Sequence, residues 1–428
     1  MFKLPRPEKP SADDRSARLD RREMLRLGAA AFGALALGGT ALGAFGCRAP
    51  ASVPGPSSPG KSEGLLPVKV GDLPILDATP LLIAHARGLY QQEGLTAEDP
   101  ILFRSWSQLA EAFMARTVNL VHLLFPIPIY MRYGLGYPAK VVAWNHMNGS
   151  SLTVGANSRI AGYADLGGKQ IAVPHWYSQH NVLLQKALRT MELEPVIQDR
   201  AAKLGPRQTN LFVMNPPDMP TALQSGAIDG YTVAEPFNAA GELLAGGKIV
   251  RFNGDVWRNH PCCVAVLHEE TIAQQPEWAQ RAVNAVVAAQ RWCGDNKVEA
   301  AKILAKEGRG YLPTAEAVVQ RGMVKYDLES YGPGTGTGAI RHAEWSASRI
   351  GFQPYPYPSA TELLTTLLKT TLLEGDARFL GDLQPARVVE DLVDYKLVTR
   401  AIEKAGGSAV FEGVDPSSPT SRTEQLSV

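Results

Sequence analysis

The sequence lacks an excess of charge of either sign, and it lacks the common catalytic motifs. Its 43 lysines and arginines nearly balance its 42 acidic residues, so the chain as a whole has no electric field that would recruit nucleic acid. It contains no GxSxG, no phosphate-binding Walker loop and no HExxH, which are signatures of hydrolases, nucleotide-binding proteins and metalloproteases. These absences argue against a nucleic-acid-binding protein and against a classical enzyme.

The composition is that of a globular protein. Hydrophobic residues make up 45% of the chain and charged residues 20%, which excludes wholesale disorder and a multi-span membrane protein. At 428 residues the chain is too long for one ordinary core, because single domains usually hold about 100 to 200 residues. We therefore expect two lobes with additional tails.

The N-terminus predicts export. Arg21 and Arg22 precede an apolar segment at 27–45, which consists mainly of Ala, Gly and Leu. This order is typical of a signal peptide, and the paired arginines resemble a twin-arginine signal, although Asp20 and Met24 depart from its usual residues. We expect residues 1–47 to be this signal and the body of the protein to lie outside the cytoplasm.

Cys47 follows the apolar segment within the sequence AFGC, which resembles a bacterial lipoprotein processing box. Acylation of Cys47 would supply the two lipid chains that stable membrane anchoring needs. The alternative is an uncleaved signal-anchor helix, for which this glycine-rich segment is poorly suited. The predicted location is the outer face of the cytoplasmic membrane or the periplasm.

Two terminal segments have compositions that do not favour a packed core. Residues 48–65 contain several prolines among Ser, Ala and Gly, and we interpret them as a flexible linker. Residues 406–428 end in a stretch rich in Ser, Thr, Pro and acidic residues, and we expect a disordered tail there.

Between these segments, short apolar runs alternate with longer helical ones, which predicts an α/β fold with mostly parallel sheets. The pattern restarts at the turn 165–170 and becomes mainly helical after about residue 264. We expect a first lobe at 66–155, a second lobe at 156–262, and completion of the first lobe at 263–405. In such folds ligands bind beyond the carboxyl ends of the strands, here in a cleft between the lobes.

Several short segments suggest a family. They are DATP at 77–80, ARGLY at 86–90, SW at 105–106, PIP at 126–128, DLGGK at 165–169, AEPFN at 234–238 and DVWRNHP at 255–261. In this order they resemble the ABC-transporter solute-binding proteins for nitrate, bicarbonate, taurine and aliphatic sulfonates, particularly the nitrate and bicarbonate branch. The resemblance extends from about residue 68 to about residue 383.

The resemblance implies a type II periplasmic-binding-protein fold, with two crossings between lobes and hinge closure on the ligand. It implies that Trp106, His180, and the loops at 148–151 and 261–263 line the cleft. Three residues depart from the branch: Ser150 stands in place of a Gln, and Cys262 and Cys263 stand in place of Glu and Lys. The resemblance therefore implies the fold and the transport role, but not the solute.

Each candidate site residue also has a structural interpretation. Trp106 could form a cleft wall or cover a sheet edge in the core, and His180 could hold a polar or anionic group or serve at a helix cap. Glu235 could bind the ligand or tie the lobes together. Asp77 precedes a helix that starts near Pro80, so we expect it to act mainly as a cap. The remaining ligand-binding candidates are Ser150, Ser151, Cys262 and Cys263.

The adjacent pair Cys262 and Cys263 has four interpretations: a vicinal disulfide, free thiols, a soft-metal site, or two small buried side chains at a pocket. No CxxC or HxxxH spacing accompanies them, so we predict no metal site and no cofactor.

The expected function is reversible capture of a small polar or anionic solute and its delivery to an ABC permease, by a lipid-anchored monomer that is not an enzyme. Two alternatives are an enzyme similar to the thiamine-pyrimidine synthases, which share this type of fold, and a ligand-sensing subunit of a membrane receptor. The predicted export signal favours binding over the cytosolic enzymes.

Overall fold

The computed structural model describes residues 64–334, 336–345 and 347–428. The predicted export signal, Cys47 and most of the predicted linker lie outside these residues. In the described part of the chain, no helix is long and apolar enough to span a bilayer.

The strands are β1 Val70–Asp72, β2 Ile101–Leu102, β3 Leu120–Leu124, β4 Ala139–Asn148, β5 Ser150–Gly155, β6 Lys169–Val173, β7 Glu194–Val196, β8 Gln208–Val213, β9 Gly230–Ala234, β10 Gly247–Phe252, β11 Pro261–His268 and β12 Ile350–Gly351. The helices are α1 Thr79–Ala86, α2 Leu89–Gln92, α3 Trp106–Met114, α4 Pro126–Ile129, α5 Gln179–Thr190, α6 Met219–Gln224, α7 Phe237–Leu244, α8 Glu269–Gln274, α9 Pro276–Asp295, α10 Lys297–Leu304, α11 Glu316–Val324, α12 Leu328–Tyr331, α13 Pro358–Leu368, α14 Phe379–Asp382, α15 Pro385–Leu392 and α16 Tyr395–Lys404.

The strands form two six-stranded sheets. The first has the order β12-β4-β11-β3-β1-β2, and the second has the order β10-β5-β9-β6-β8-β7. Both sheets are mixed rather than mostly parallel as predicted. β1 to β3 and β6 to β9 form the parallel parts, whereas β4, β5, β10, β11 and β12 make antiparallel pairs. The antiparallel strands are those next to the connections between the sheets, where the chain reverses direction.

The chain crosses between the sheets twice through these strands, as the two-lobed fold predicts. Gly149 alone separates β4 of the first sheet from β5 of the second, and the return runs through 253–260 from β10 to β11. Both crossings lie earlier in the chain than the predicted boundaries at 155 and 262. Strand β5 therefore belongs to the second lobe.

Local sequence explains where the key helices begin. Ser105 and Ser178 have extended backbones, and their hydroxyls accept hydrogen bonds from the amides of Gln108 and Asn181, which start α3 and α5. Such caps satisfy amides that have no partner inside the helix. The same caps fix Trp106 and His180 in the first turns of α3 and α5, at the edges of their sheets.

The central strands of the first sheet are buried, and the long helix α9 packs against the sheet at β4. Val121, Ala143 and Val264 from adjacent strands are buried, as are Ala282 and Val286 of α9. Burial of a large apolar side chain contributes about 1.5–3 kcal/mol. This core holds the ends of β3, β4 and β11 in fixed positions next to the second lobe.

The predicted disordered tail is wrong for the described C-terminal residues. The indole of Trp257 donates a hydrogen bond of 2.6 Å to Glu424, the amide of Ser427 donates one of 2.7 Å to the carbonyl of Val256, and Lys297 pairs with Glu412 at 3.0 Å. These contacts hold the tail against the second crossing and α10. Composition alone could not reveal them, because each partner is distant in sequence.

The C-terminal helices are tied to the first lobe by Arg132. Its guanidinium donates hydrogen bonds of 2.6 and 2.7 Å to Asp391 of α15, and pairs with Glu269 at 2.9 Å. Hydrogen bonding from Arg132 lowers the pKa of Asp391 to about 2.

We expect Asp391→Asn to lower the thermal midpoint by a few degrees at pH 7. The folded-state pKa of Asp391 lies below its unfolded value of about 3.9, so its stabilisation is present above that value and is lost as the pH falls through the folded pKa. The difference in thermal midpoint between wild type and Asp391→Asn should therefore be constant down to about pH 4.5 and become smaller below about pH 3.9. Glu390→Gln is the control, because no ion pair to Glu390 occurs among the described residues. A difference in thermal midpoint at pH 3 as large as that at pH 7 would contradict a stabilising role for the ionised Asp391 carboxylate.

Candidate functional site

Asp77 lies in a 3₁₀ turn, Leu76–Ala78, after the first strand, and its side chain is completely buried. The prediction that it caps the following helix is wrong. Helix α1 begins at Thr79 with Ala78 at its cap position, and no side chain accepts a hydrogen bond there. The carboxylate points instead toward β4 and β11.

Asp77 is the centre of a buried cluster with His146, Cys262 and Cys263. Its Oδ1 lies 3.1 Å from His146 Nε2, and its Oδ2 accepts a hydrogen bond of 3.0 Å from Cys263 Sγ. Cys262 Sγ is 3.7 Å from the same oxygen. One potential ligand atom from each of the four residues lies within 4.8 Å of all the others, and all four residues are 0% exposed.

Strand pairing explains how distant residues form this cluster. β11 lies between β3 and β4, with Cys263 opposite both Leu124 and His146. The predicted loop at 261–263 is therefore the first part of a strand. The register between β11 and β4 shifts on both sides of Cys263. Such a bulge breaks the strict alternation of strand side chains, so both adjacent thiols approach Asp77.

The second lobe faces this cluster with Ser150 and His180. The predicted loop at 148–151 is a one-residue link, and Ser150 is the first residue of β5. Ser150 Oγ lies 3.5 Å from Cys262 Sγ and 2.9 Å from His180 Nε2. Because Ser178 caps α5, the imidazole of His180 is available for this contact. The two lobes therefore meet directly at the cysteine pair.

Trp106 borders the same region through His122. Its ring packs edge-on against His122, with the ring centres 5.3 Å apart, and Trp106 is 1% exposed. The Nε2 atom of His122 accepts a hydrogen bond of 3.2 Å from the amide of Leu73. Trp106 is thus part of the first-lobe core as well as a neighbour of the cluster.

Glu235 ties the lobes together, which was one of its two predicted roles. It follows β9 of the second lobe, and its Oε1 lies 2.7 Å from the guanidinium of Arg349, next to β12 of the first. Its Oε2 accepts a hydrogen bond of 3.0 Å from the amide of Ala239. Since the protein engages both carboxylate oxygens, the structure gives no support to the predicted ligand contact of Glu235.

Burial and neighbouring charges change the pKa values in the cluster. Burial and Cys262 raise the pKa of Asp77. Burial alone would lower the pKa of His146, but Asp77 and Cys262 outweigh it and raise the pKa to about 10. Although burial acts against ionisation of Cys262, hydrogen bonding with Cys263 and the charge on His146 bring its pKa well below the ordinary value. The arrangement favours a Cys262 thiolate beside a His146 imidazolium.

Several buried side-chain polar atoms at or near this contact between the lobes have no hydrogen-bond partner. They belong to Asp77, Trp106, His122, Asn145, His146, Ser151, Gln179, His180 and His260, and others lie elsewhere among the described residues, for example in Gln198, Arg251 and Tyr395. Most buried polar atoms in native proteins have partners, and an exception requires an explanation such as an ion, a water or a ligand. Ser151 and His180, predicted as site residues, are in this group.

Sequence reasoning missed His146, Gln179 and Arg349. His146 lies within the long strand β4, and Gln179 is the first residue of α5. The Nε2 atom of Gln179 is 3.2 Å from His260 Nε2. Arg349 lies far along the chain from Glu235. His260 is part of the motif at 255–261, but nothing in the motif indicated its contact with Gln179. No local pattern could have shown that these side chains meet.

Comparisons with known proteins agree with this architecture. Residues 62–306 match the family model described as the NMT1-like family. The chain belongs to this family. The resemblance to solute-binding proteins is also confirmed: the nitrate/nitrite binding protein NrtA of Nostoc sp. is 26% identical over 408 residues, covering 84% of this chain and 85% of that protein.

Two further matches extend the comparison. The nitrate import ATP-binding protein NrtC of Synechocystis sp. is 25% identical over 244 residues, which are 53% of this chain but only 35% of that protein. The crystal structure of the periplasmic nitrate-binding protein NrtA from Synechocystis superposes with a TM-score of 0.63 at 18% identity, covering 83% of this chain and 97% of that chain. The periplasmic-binding-protein fold is therefore confirmed.

We expect Arg349→Met to destabilise the protein by about 3–5 kcal/mol, because it leaves the buried carboxylate of Glu235 without its counter-charge. Chemical denaturation measures the effect. Arg378→Met is the matched control, since Arg378 pairs with Asp376 at the surface, where such pairs contribute little. Equal denaturation midpoints for Arg349→Met and wild type would contradict a stabilising role for the Glu235–Arg349 ion pair between the lobes.

Proposed function

We propose that this protein is the solute-binding component of an ABC import system and holds a small polar or anionic solute between its two lobes. The observation that carries the proposal is the group of buried polar atoms without partners, contributed by both lobes where they meet. A bound polar solute would supply the missing hydrogen bonds.

The position of these atoms supports capture by closure. Ser150, His180, Gln179 and Cys262 are at most 2% exposed, so a solute can reach them only when the lobes separate. The short link at Gly149 and the segment 253–260 are the connections about which such a hinge motion would take place. In this proposal the described structure corresponds to the closed arrangement.

The chemistry of the lining favours an oxyanion or a similar small polar group. Ser150, Gln179 and His180 can donate hydrogen bonds to it. The names of the relatives, which mention nitrate, nitrite and bicarbonate, are consistent with this class. We propose nitrate, bicarbonate or a sulfonate as the solute class.

Further parts of the proposal concern location and partners. The twin-arginine-like signal and Cys47 support an exported, lipid-anchored protein, and the relatives of ABC import systems support a permease as partner. In this proposal the protein acts as a monomer and binds rather than catalyses. The enzyme and the receptor subunit are the competing functions.

We expect His180→Gln and Ser150→Ala each to weaken solute binding by about 10-fold or more, because each removes a hydrogen bond from a buried polar site. Isothermal titration of the purified full-length protein with nitrate, nitrite, bicarbonate, taurine and alkanesulfonates measures this. His342→Gln is the control, since His342 lies at the surface beside Glu344.

Saturable binding of one of these solutes that His342→Gln preserves and His180→Gln weakens would support the proposal. A folded wild-type protein that binds none of them would contradict the proposed solute class. Turnover of a bound compound would favour the enzyme instead.

A further inference from the structure

We propose that Asp77, His146, Cys262 and Cys263 form a binding site for a borderline-soft divalent cation of the Zn²⁺ class. The inference goes beyond the proposed function, because it concerns an ion held by the first lobe and does not depend on which solute the cleft takes. Its first basis is the donor set: two thiols, one imidazole and one carboxylate converge on one point.

The donor types select the metal. Calcium and magnesium prefer sites made entirely of oxygen atoms, whereas thiolate and imidazole ligands favour Zn²⁺ and related transition metals. Four such donors match the tetrahedral geometry of zinc in structural sites. A cation bound here would also neutralise much of the negative charge of a carboxylate and two thiolates in a buried position.

The distances fit without large rearrangement. Zinc bonds of about 2.0–2.3 Å in a tetrahedron place neighbouring ligand atoms roughly 3.3–3.8 Å apart. In the structure, Asp77 lies 3.1 Å from His146 through Oδ1 and 3.0 and 3.7 Å from the two thiols through Oδ2. With one ligand atom from each residue the separations extend up to 4.8 Å, so shifts of up to about 1 Å would bring the four atoms to the zinc geometry.

Unpartnered buried atoms give an independent indication of a ligand. Oδ1 of Asp77 and both ring nitrogens of His146 have no hydrogen-bond partner, and both residues are 0% exposed. The separation of His146 Nε2 and Asp77 Oδ1 is short, but the pair does not have the geometry of a hydrogen bond. The two groups form an ion pair at 3.1 Å, and a bound metal ion would take the place of the imidazolium proton as the partner of the carboxylate.

The scaffold that carries the ligands is rigid. His146 and the cysteines lie on paired strands β4 and β11, and the carbonyl of Asp77 accepts a hydrogen bond from the side chain of Asn145. All four ligands belong to the first lobe, so opening of the lobes would expose the ion without removing it. Ser150 of the second lobe, near Cys262, would then lie beside the bound metal.

The cysteine chemistry provides a clear test with Co²⁺ as a probe, because thiolate ligation gives cobalt an intense charge-transfer absorption in the near ultraviolet. Reduced, chelator-treated full-length protein should bind one Co²⁺ with this band, and Zn²⁺ should displace it. Cys262→Ser and Cys263→Ser should each reduce the band and weaken Zn²⁺ binding by more than about 100-fold. Asp77→Asn and His146→Gln should weaken binding while retaining part of the thiolate band.

Cys293→Ser is the matched control, because Cys293 is a free buried cysteine in α9 outside the cluster. It should leave the band and the affinity unchanged. Circular dichroism of every variant separates loss of ligation from loss of fold. Retention of the band in the double variant Cys262→Ser/Cys263→Ser, or its absence from folded wild-type protein whose thiols titrate as reduced, would overturn the site.

The test is separate from that of the proposed function. Cobalt binding is measured without any solute, and solute binding is measured with and without chelator. A thiolate–cobalt band in a protein that binds no solute would support the metal site and contradict the proposed function, and solute binding without the band would do the reverse.

Discussion

The structure depends on a tight crossing between the two sheets at Gly149. Asn148 and Gly149 both have positive φ, at 60° and 74°, a conformation that favours glycine and is tolerated by asparagine. The amide of Gly149 donates to the carbonyl of Arg349, and its own carbonyl accepts from the amide of Glu235. A Cβ at Gly149 would lie 3.1 Å from the side chain of Ile350. This one link fixes the end of β4 and the start of β5, and with them His146 and Ser150.

Two kinds of buried polar group result from this crossing. Glu235 and Arg349 are fully buried, yet each has partners on every side, including the amide of Ala239 and the hydroxyl of Tyr331. A buried ion pair with complete hydrogen bonding can hold two lobes in register. The polar groups around Asp77 and His180 are equally buried but incompletely paired. This difference in hydrogen bonding is the reason why we propose a structural role for the first group and a ligand-binding role for the second.

The cysteine pair connects the two proposals. The resemblance implies that Cys262 and Cys263 stand where the nitrate and bicarbonate branch tends to have Glu and Lys, so the proposed site would lack a fixed cation and a carboxylate. A divalent ion on the thiols would offset most of the negative charge of its own ligands, but it would not supply the net positive charge of a lysine. The same family fold would then hold its solute beside a metal ion instead of an ammonium group.

Sequence by itself determined the elements and the family. The alternation of short apolar runs with helical ones indicated the α/β fold, and the ordered short motifs indicated its two-lobed form. These features are local, since a strand or capped helix is encoded by residues close together. Sequence also singled out Trp106, His180, Asp77 and the cysteine pair, but it placed Asp77 at a helix cap.

Only the tertiary structure decided what these residues touch. The bulge in β11 turned both thiols toward Asp77, and His146 joined them from β4 through strand pairing. The partner of Glu235 came from Arg349, 114 residues further along the chain, and the C-terminal segment was ordered by distant partners on Trp257 and Lys297. Register, bulges and long-range ion pairs depend on how separate elements pack, so no local pattern encodes them.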